Sequence, residues 1–296
     1  MKTFAQLITK AAKDRSKPVL AIAPAHDRDV LALLPSLSRL VQPLLIGNAR
    51  SIRNTLKKIG FDPACEILHE PDERAAFATA RHLVREGKAG VFMEGGGDHG
   101  LFLEELGRIP QKRGAQTIVS HVNIVEFTLH KKCVIITDAV LNPQSNIKDR
   151  IAILNNALSV ARAMGRKAPK VAALSALEYV NPSIPSTMFA AVLSKMSQRG
   201  QFGDAQVEGP LDIDCAVSRE ACERKGVENG VTGDADIYLA ADPESGSCFV
   251  QFLNVFGSMP TAGLIVGTPA PVILNPGLPG CGDALAAAAL ACLLVR

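Results

Sequence analysis

The sequence predicts an α/β protein in two halves, and three observations carry that reading. Short apolar runs alternate with helix-length amphipathic segments from end to end, the pattern of parallel βαβ units. Two strand-like runs, residues 117–127 and 133–137, interrupt the alternation with only a few residues between them. That spacing predicts an antiparallel hairpin, because a parallel crossover needs a dozen residues or more. Beyond Asn142-Pro143 a second alternating series begins.

The elements follow in order. The N-terminal stretch MKTFAQLITKAAKDRSK reads as an amphipathic helix. Residues 18–24 (PVLAIAP) form a first strand, followed by a helix over 27–40. Residues 43–46 with Gly47 make a second strand, and a helix over 49–59 ends at Gly60. Residues 66–69 are the third strand. Pro71-Asp72-Glu73 then opens a helix that Gly87 closes. Residues 90–93 give a fourth strand that runs into a glycine loop. After the hairpin, a helix over 147–164 places Ile151, Leu154, Leu158 and Ala161 on one face. Strands at 170–174, 205–207 and 236–240 then alternate with helices at 187–199, 216–225 and 246–256. Strands at 263–267 and 272–274 and a helix over 284–295 complete the chain. The changeover falls near 138–143. The expected domains are therefore 1–138 with 272–296, and 139–271, the last helix returning to the first half.

Composition narrows the class. The 296 residues are 47% apolar and 21% charged, with a net charge of +3. A chain of this length buries a core large enough to need no covalent staples. Basic residues are scattered among acids, so nucleic acid is not an expected partner, whereas a small anion is. The longest apolar run, 284–295, is too short to span a bilayer, and the N-terminus lacks the apolar core of a signal peptide. No membrane association is expected. Seven cysteines form no C-x-x-C and read as small buried hydrophobes of a reduced, cytoplasmic protein.

The stretch Gly95-Gly96-Gly97-Asp98-His99-Gly100 fits the spacing G-x-G-x-x-G between a strand and a helix. Two facts oppose a dinucleotide site. The fingerprint belongs in the first βα turn of its domain, and this is the fourth. The acid expected about 20 residues on is also missing, Glu126 coming too late. A P-loop is excluded because no Gly-Lys-Ser/Thr follows. Asp98 and His99 are adjacent and lack the spacing of a metal site. Two readings remain open: a ligand or anion loop at a strand's C-terminal end, or a turn that needs glycine geometry.

Other polar motifs lie just beyond expected strands. They are Ser120-His121, Thr137-Asp138-Ala139 with Asn142-Pro143, and Tyr179-Val180-Asn181-Pro182. EGPLDIDCAVS (208–218), GDADIYL (233–239), Asp242-Pro243-Glu244-Ser245-Gly246 and Gly267-Thr268-Pro269-Ala270-Pro271-Val272 follow. Adjacent strand residues point to opposite faces, so Ser120 and His121 cannot form a dyad with each other. Asp138 and Asn142 suit either a ligand role or a turn and cap role. The helix start at Glu244–Gly246 and the glycine-rich run 275–282 are candidate anion cradles. Lys148 and Arg150, at the start of a helix, are expected to be solvated.

This ordered set resembles the phosphate acetyl/butyryltransferase family over nearly the whole chain. The resemblance implies two three-layer α/β/α domains around an interdomain cleft, an isocitrate/isopropylmalate dehydrogenase-like architecture. It also implies a homodimer and the reaction acyl-CoA + phosphate ⇌ acyl phosphate + CoA. Coenzyme A would be a substrate, with no metal and no other cofactor. With this reaction in view, His121, Asp138 and Asn142 are the candidate catalytic residues by their places at strand ends. Gly95, Gly96, Gly97, Asp98, Ser120, Glu244, Gly246, Asn275 and Gly277 are the candidates for substrate binding.

The chain departs from the family pattern at several of these places. Glu94 stands where members commonly have Lys, and His99 where Thr is common. Thr117 replaces an Arg ahead of Ser120-His121, with Lys112 and Arg113 nearby. Pro276 and Gly277 occupy the Ser-Arg positions, and Asp283 is displaced. The charge of Glu94 is expected to weaken phosphate binding at the loop. Two other readings stay open: a catalytically degenerate relative that binds CoA or a small anion, and an NAD-dependent dehydrogenase on a related scaffold.

Overall fold

A computed structural model describes residues 1–13, 16–61, 65–109, 118–127, 131–227, 229–275 and 282–295. The chain divides into two compact units. One, here the amino-terminal unit, comprises Phe4–Thr117 and Ala262–Arg296; the other, the central unit, comprises Met1–Thr3 and Ile118–Thr261. Compared with the expected division at 138/139 and 271/272, the hairpin and residues 262–271 change sides. Strand pairing is the reason. The hairpin strands β5 (Ser120–Phe127) and β6 (Lys132–Thr137) pair antiparallel, and β6 then pairs in parallel with β9 (Ile237–Leu239). Conversely, β10 (Thr261–Val266) folds back antiparallel on β11 (Val272–Ile273), which pairs with β4 (Val91–Glu94).

The amino-terminal unit holds a sheet in the order β3-β2-β1-β4-β11-β10, with β1 at Val19–Ala23, β2 at Gln42–Gly47 and β3 at Glu66–His69. All of these strands are parallel except β10. Strands β4 and β10 are buried along their whole length, which requires cover on both faces. Helices α5 (Glu73–Arg85) and α6 (His99–Gly107) provide one cover: Phe77 and Phe92 each lie 5.6 Å from the Phe102 ring. Helix α12 (Ala284–Leu294) packs on α1 (Phe4–Ala12), β4 and β11.

The single helix expected over 27–40 is two short ones, α2 (Arg28–Ala32) and α3 (Leu34–Leu37). Pro35 enters the first turn of α3, where its missing N–H does no harm but cannot continue the preceding helix. Side-chain caps start the other helices where the sequence offers them. Asp27 caps α2, Asn48 caps α4 (Ala49–Lys58), and Asp72 caps α5.

In the central unit the order is β5-β6-β9-β7-β8, with β7 at Lys170–Leu174 and β8 at Gln206–Leu211. After the hairpin every pairing is parallel. Helix α7 (Ile147–Ala163) begins with a reciprocal capping box between Asn146 and Asp149. Helix α8 is Pro185–Gln198. The helix expected over 216–225 breaks into α9 (Ile213–Val217) and α10 (Arg219–Arg224), because Ser218 is extended and caps the second piece. Helix α11 (Pro243–Val255) approaches the chain after β6 so closely that a Cβ at Gly246 would lie 2.5 Å from the Asp138 carbonyl oxygen. Glycine is required there by space.

Among the described residues no helix is long and apolar enough to cross a membrane. Cys133, Cys215, Cys222 and Cys292 are buried, Cys65 is half-buried and Cys248 is exposed. Burial pushes the Cys133 thiol up to about 11, with the Glu126 charge adding to the effect, so it is an inert core group.

Candidate active site

Each unit gathers polar residues at the C-terminal ends of its parallel strands, where open α/β sheets bind ligands. In the amino-terminal unit, β1, β4 and β11 end at residues 24–27, at the glycine loop and at Asn275. The loop is shaped by close approach. A Cβ on Gly95 would meet the Pro24 carbonyl at 2.7 Å, one on Gly96 the Asp27 Cβ at 2.9 Å, and one on Gly97 the Glu73 carboxylate at 2.9 Å. Gly96 and Gly97 also have φ of 115° and 83°, conformations that glycine adopts without penalty.

Asp98 is the N-cap of α6. Its Oδ1 accepts from Gly100 N at 2.7 Å and Leu101 N at 3.1 Å, while its own N–H donates to Glu73 Oε2 at 3.1 Å. Carboxylates thus already accept the amides that would cradle a pyrophosphate. The nucleotide-like spacing has a local cause.

Glu94, at the end of β4, is 2% exposed. Its Oε1 lies 2.7 Å from His99 Nδ1, and its Oε2 accepts from the Asn275 backbone N at 3.0 Å. Asn275 also donates from Nδ2 to Asp27 Oδ2 at 3.3 Å. Here the expectation for Glu94 is corrected: the carboxylate does not project into the loop but ties α6 to the chain after β11. The two departures at 94 and 99 are one interacting pair. Gly277, Pro276, Lys112, Arg113 and Thr117 lie outside the described residues.

In the central unit, His121, Asp138 and Asn142 come together. Asp138 Oδ1 accepts from three backbone N–H groups, those of His121 (3.2 Å), Val140 (3.0 Å) and Leu141 (3.2 Å). Its Oδ2 accepts from Asn142 Nδ2, which also donates to the Val119 carbonyl at 3.0 Å. This is an Asx-type turn on a buried carboxylate, and Asn146 rather than Asp138 caps α7.

His121 is buried and accepts at Nδ1 from Asn123 Nδ2 at 3.1 Å. Its Nε2 and the Asn123 Oδ1 have no partner. Desolvation lowers the imidazole to about 4, with the Asp138 charge pulling the other way. His121 is therefore neutral at pH 7, with the proton on Nε2. Ser120 points to the opposite face and accepts from Asn156 Nδ2 of α7 at 2.9 Å, as strand alternation requires.

Glu244 is exposed on the first turn of α11, where Asp242 already caps the helix through Ser245 N at 2.7 Å. This negative cap removes the case for an anion cradle there. Gly246 serves packing.

Arg150 is the residue that sequence reasoning missed. It is half-buried rather than solvated, donates to the carbonyls of Ala240 and Ala241, and lies 4.8 Å over the Phe189 ring. Its Nε is buried without a partner. Desolvation lowers its pKa, offset in part by Asp242. With Asp138, Asn142, Ser145 and Asp242 it lines a small cavity. No local signal could have found it, because its partners lie 90 residues away.

Elsewhere, Glu178, Asp214 and Cys215 form a cluster of metal-like spacing. The Lys225 ammonium sits 2.6 Å from Glu178 and 2.7 Å from Asp214, so a cation already bridges the two carboxylates.

The fold and these clusters define a dehydrogenase-like α/β protein with polar residues gathered at its strand ends. The chain belongs to the family described as Phosphate acetyl/butaryl transferase, which matches residues 64–291. It is 36% identical over 280 residues to a phosphate butyryltransferase of Clostridium acetobutylicum, covering 93% of this chain and 92% of that protein. It is 33% identical over 255 residues to a phosphate acetyltransferase of Rhizobium meliloti, covering 86% and 81%. A branched-chain phosphotransacylase from Enterococcus faecalis V583 superposes with a TM-score of 0.80 at 27% identity, over 94% of this chain and 99% of that one. A Salmonella typhimurium protein assigned as a 4-hydroxythreonine-4-phosphate dehydrogenase shares the fold, with a TM-score of 0.55 at 13% identity over 95% and 100%.

Proposed function

We propose that the chain transfers short acyl groups between coenzyme A and inorganic phosphate, with coenzyme A as a substrate and no other cofactor. The relationship to phosphate acyltransferases across 93% of the chain carries this reading. The strand-end chemistry supports it. Arg150 supplies a partly desolvated guanidinium with an unpaired Nε, suited to a phosphoryl oxygen. His121 offers a neutral Nε2–H that suits a carbonyl or developing oxyanion. Asp138 accepts the backbone N–H of His121 and lines the small cavity with Asn142 and Arg150, and Gly95–Asp98 with Asn275 form the corresponding loop cluster of the amino-terminal unit. We assign the protein to the cytoplasm.

Acetyl-, butyryl- and branched-chain acyl-CoA, each mixed with phosphate, should release free thiol, and arsenate should drain the acyl group. No release with any of them would refute the reading. A homodimer is part of the proposal. Phe252, Val255 and Phe256 on and just beyond α11 are 61%, 68% and 77% exposed, an apolar ridge of the kind that marks interfaces. Sedimentation showing a monomer at micromolar concentration would remove it.

A further inference from the structure

The Glu94–His99 pair has the geometry of a held base. Glu94 is 2% exposed, and both carboxylate oxygens are engaged, Oε2 by the Asn275 amide and Oε1 by His99 Nδ1. An ionised carboxylate only accepts, so the His99 proton sits on Nδ1 and its Nε2 lone pair is free. The ring stacks on Phe102 at 5.9 Å, which fixes its plane, and the side chain is 39% exposed. Among the described residues Nε2 has no hydrogen-bond or ion-pair partner, and the pair stands at the C-terminal end of β4, where ligands meet such sheets. A base oriented by a buried carboxylate, with its second nitrogen open, is the arrangement expected of general acid–base catalysis.

We propose that His99 is the base for the coenzyme A thiol and that Glu94 is its positioning residue. This rests on the acyl-transfer reading above. Phosphate dianion already carries an ionised nucleophilic oxygen, whereas a thiol of pKa about 8.5 is only a few per cent ionised at pH 7. In the direction of thioester synthesis, His99 Nε2 takes the thiol proton and the thiolate sulfur attacks the acyl phosphate carbonyl. The C–S bond forms, the C–O bond to phosphate breaks, and the imidazolium returns the proton to the departing phosphate. The balance is R–CO–OPO3(2−) + CoA–SH → R–CO–S–CoA + HPO4(2−). Glu94 keeps the ring in this tautomer and faces the positive charge when it forms. Among the described residues, the ionisable groups reached from the pair are Asp98, Glu73 of α5 through the Asp98 amide, His26 4.0 Å from Glu73, and Asp27 through Asn275.

The test uses butyryl phosphate and coenzyme A with the wild type, H99A, H99Q and E94Q. H99A and H99Q should lose about 100-fold in kcat at pH 7, the usual worth of such a base, with the KM for coenzyme A little changed. Their rates should climb with pH into the thiol's own range, while the wild-type rate levels off earlier. Added imidazole should restore part of the H99A rate and none in the wild type. E94Q should show a smaller kcat loss with the same change in pH profile. A merely structural pair would lower the melting temperature without reshaping the profile or permitting rescue, and that outcome overturns the proposal. Full turnover by H99A and H99Q overturns it too, leaving the acyl-transfer reading intact. No turnover by the wild type overturns both.

Discussion

Asp138 is the residue on which a catalytic and an architectural role can be told apart. Its Oδ1 holds one buried backbone N–H, that of His121, and two half-buried ones, those of Val140 and Leu141. Taking about 2 kcal/mol for the buried charge-assisted bond and about 1 kcal/mol for each of the others, Asp138→Ala should lose about 4 kcal/mol. Asp138→Asn keeps an acceptor at Oδ1 but gives up the charge, which roughly halves such bonds. It also turns an NH2 toward Asn142 Nδ2, so that two donors face each other. Rotating the Asn142 amide would only move the conflict to the Val119 carbonyl, 3.0 Å away. The expected loss is about 3 kcal/mol, half of the sum above and about 1 kcal/mol for the conflict. Urea unfolding midpoints of the three proteins, measured beside thiol release, decide the matter. A stability order of wild type, Asn, Ala with these gaps supports an architectural carboxylate. An Ala variant within about 0.5 kcal/mol of wild type, the range of ordinary surface changes, refutes the reasoning. Asn and Ala variants of native stability without activity would place the carboxylate on the substrate instead.

Two further outcomes follow from the same geometry. Gly246→Ala sets a Cβ 2.5 Å from the Asp138 carbonyl oxygen and 3.2 Å from Ala139 Cα. Overpacking of about 1–3 kcal/mol should outweigh a helix-propensity gain of about 1 kcal/mol, lowering both the unfolding midpoint and kcat. Gly107→Ala, with nothing within 4 Å, should be neutral or stabilising; equal effects at the two sites would contradict the packing argument. Acid should destabilise the fold through His121. Its imidazole is held at about 4 in the fold and titrates near 6.5 when unfolded. As pH falls from about 6.5 to about 4, the unfolded chain gains a proton that the folded chain refuses, removing about 3 kcal/mol. Below that window this group costs nothing more. Asp234 then takes over between about 4 and about 2: burial opposes its ionisation, but hydrogen bonds from Lys170 and Lys132 hold it down at about 2. Melting temperatures from pH 7 to 4 should fall less steeply for His121→Gln, and parallel curves would contradict the assignment.

Much of the fold can be read along the chain, because its signals are local. The strand at 66–69 and the strand at 170–174 form where apolar pattern places them, and Asp72, Asn146 and Asp242 cap the helices that follow them. Errors arise where a local signal competes with another. Pro35 divides the helix expected over 27–40, and Ser218 divides the one expected over 216–225. The site is less legible. Glu94 stands out in the sequence as a departure, yet its charge reads as an obstacle to phosphate until His99 and Asn275 are seen against it. Glu244 sits in a helix-start motif, but the cap is Asp242, and no anion is needed there.

By itself the sequence determined the alternation of elements, the hairpin, most helix starts and the family to which the chain belongs, since each depends on residues a few positions apart or on an ordered set of short motifs. Only the tertiary structure decided which strands share a unit, that Asn275 closes on Glu94 across 181 residues and that Arg150 reaches Ala240 across 90. Those contacts depend on sheet order and on which backbone groups are left to accept a hydrogen bond. Neither quantity is written in the spacing of residues along a chain.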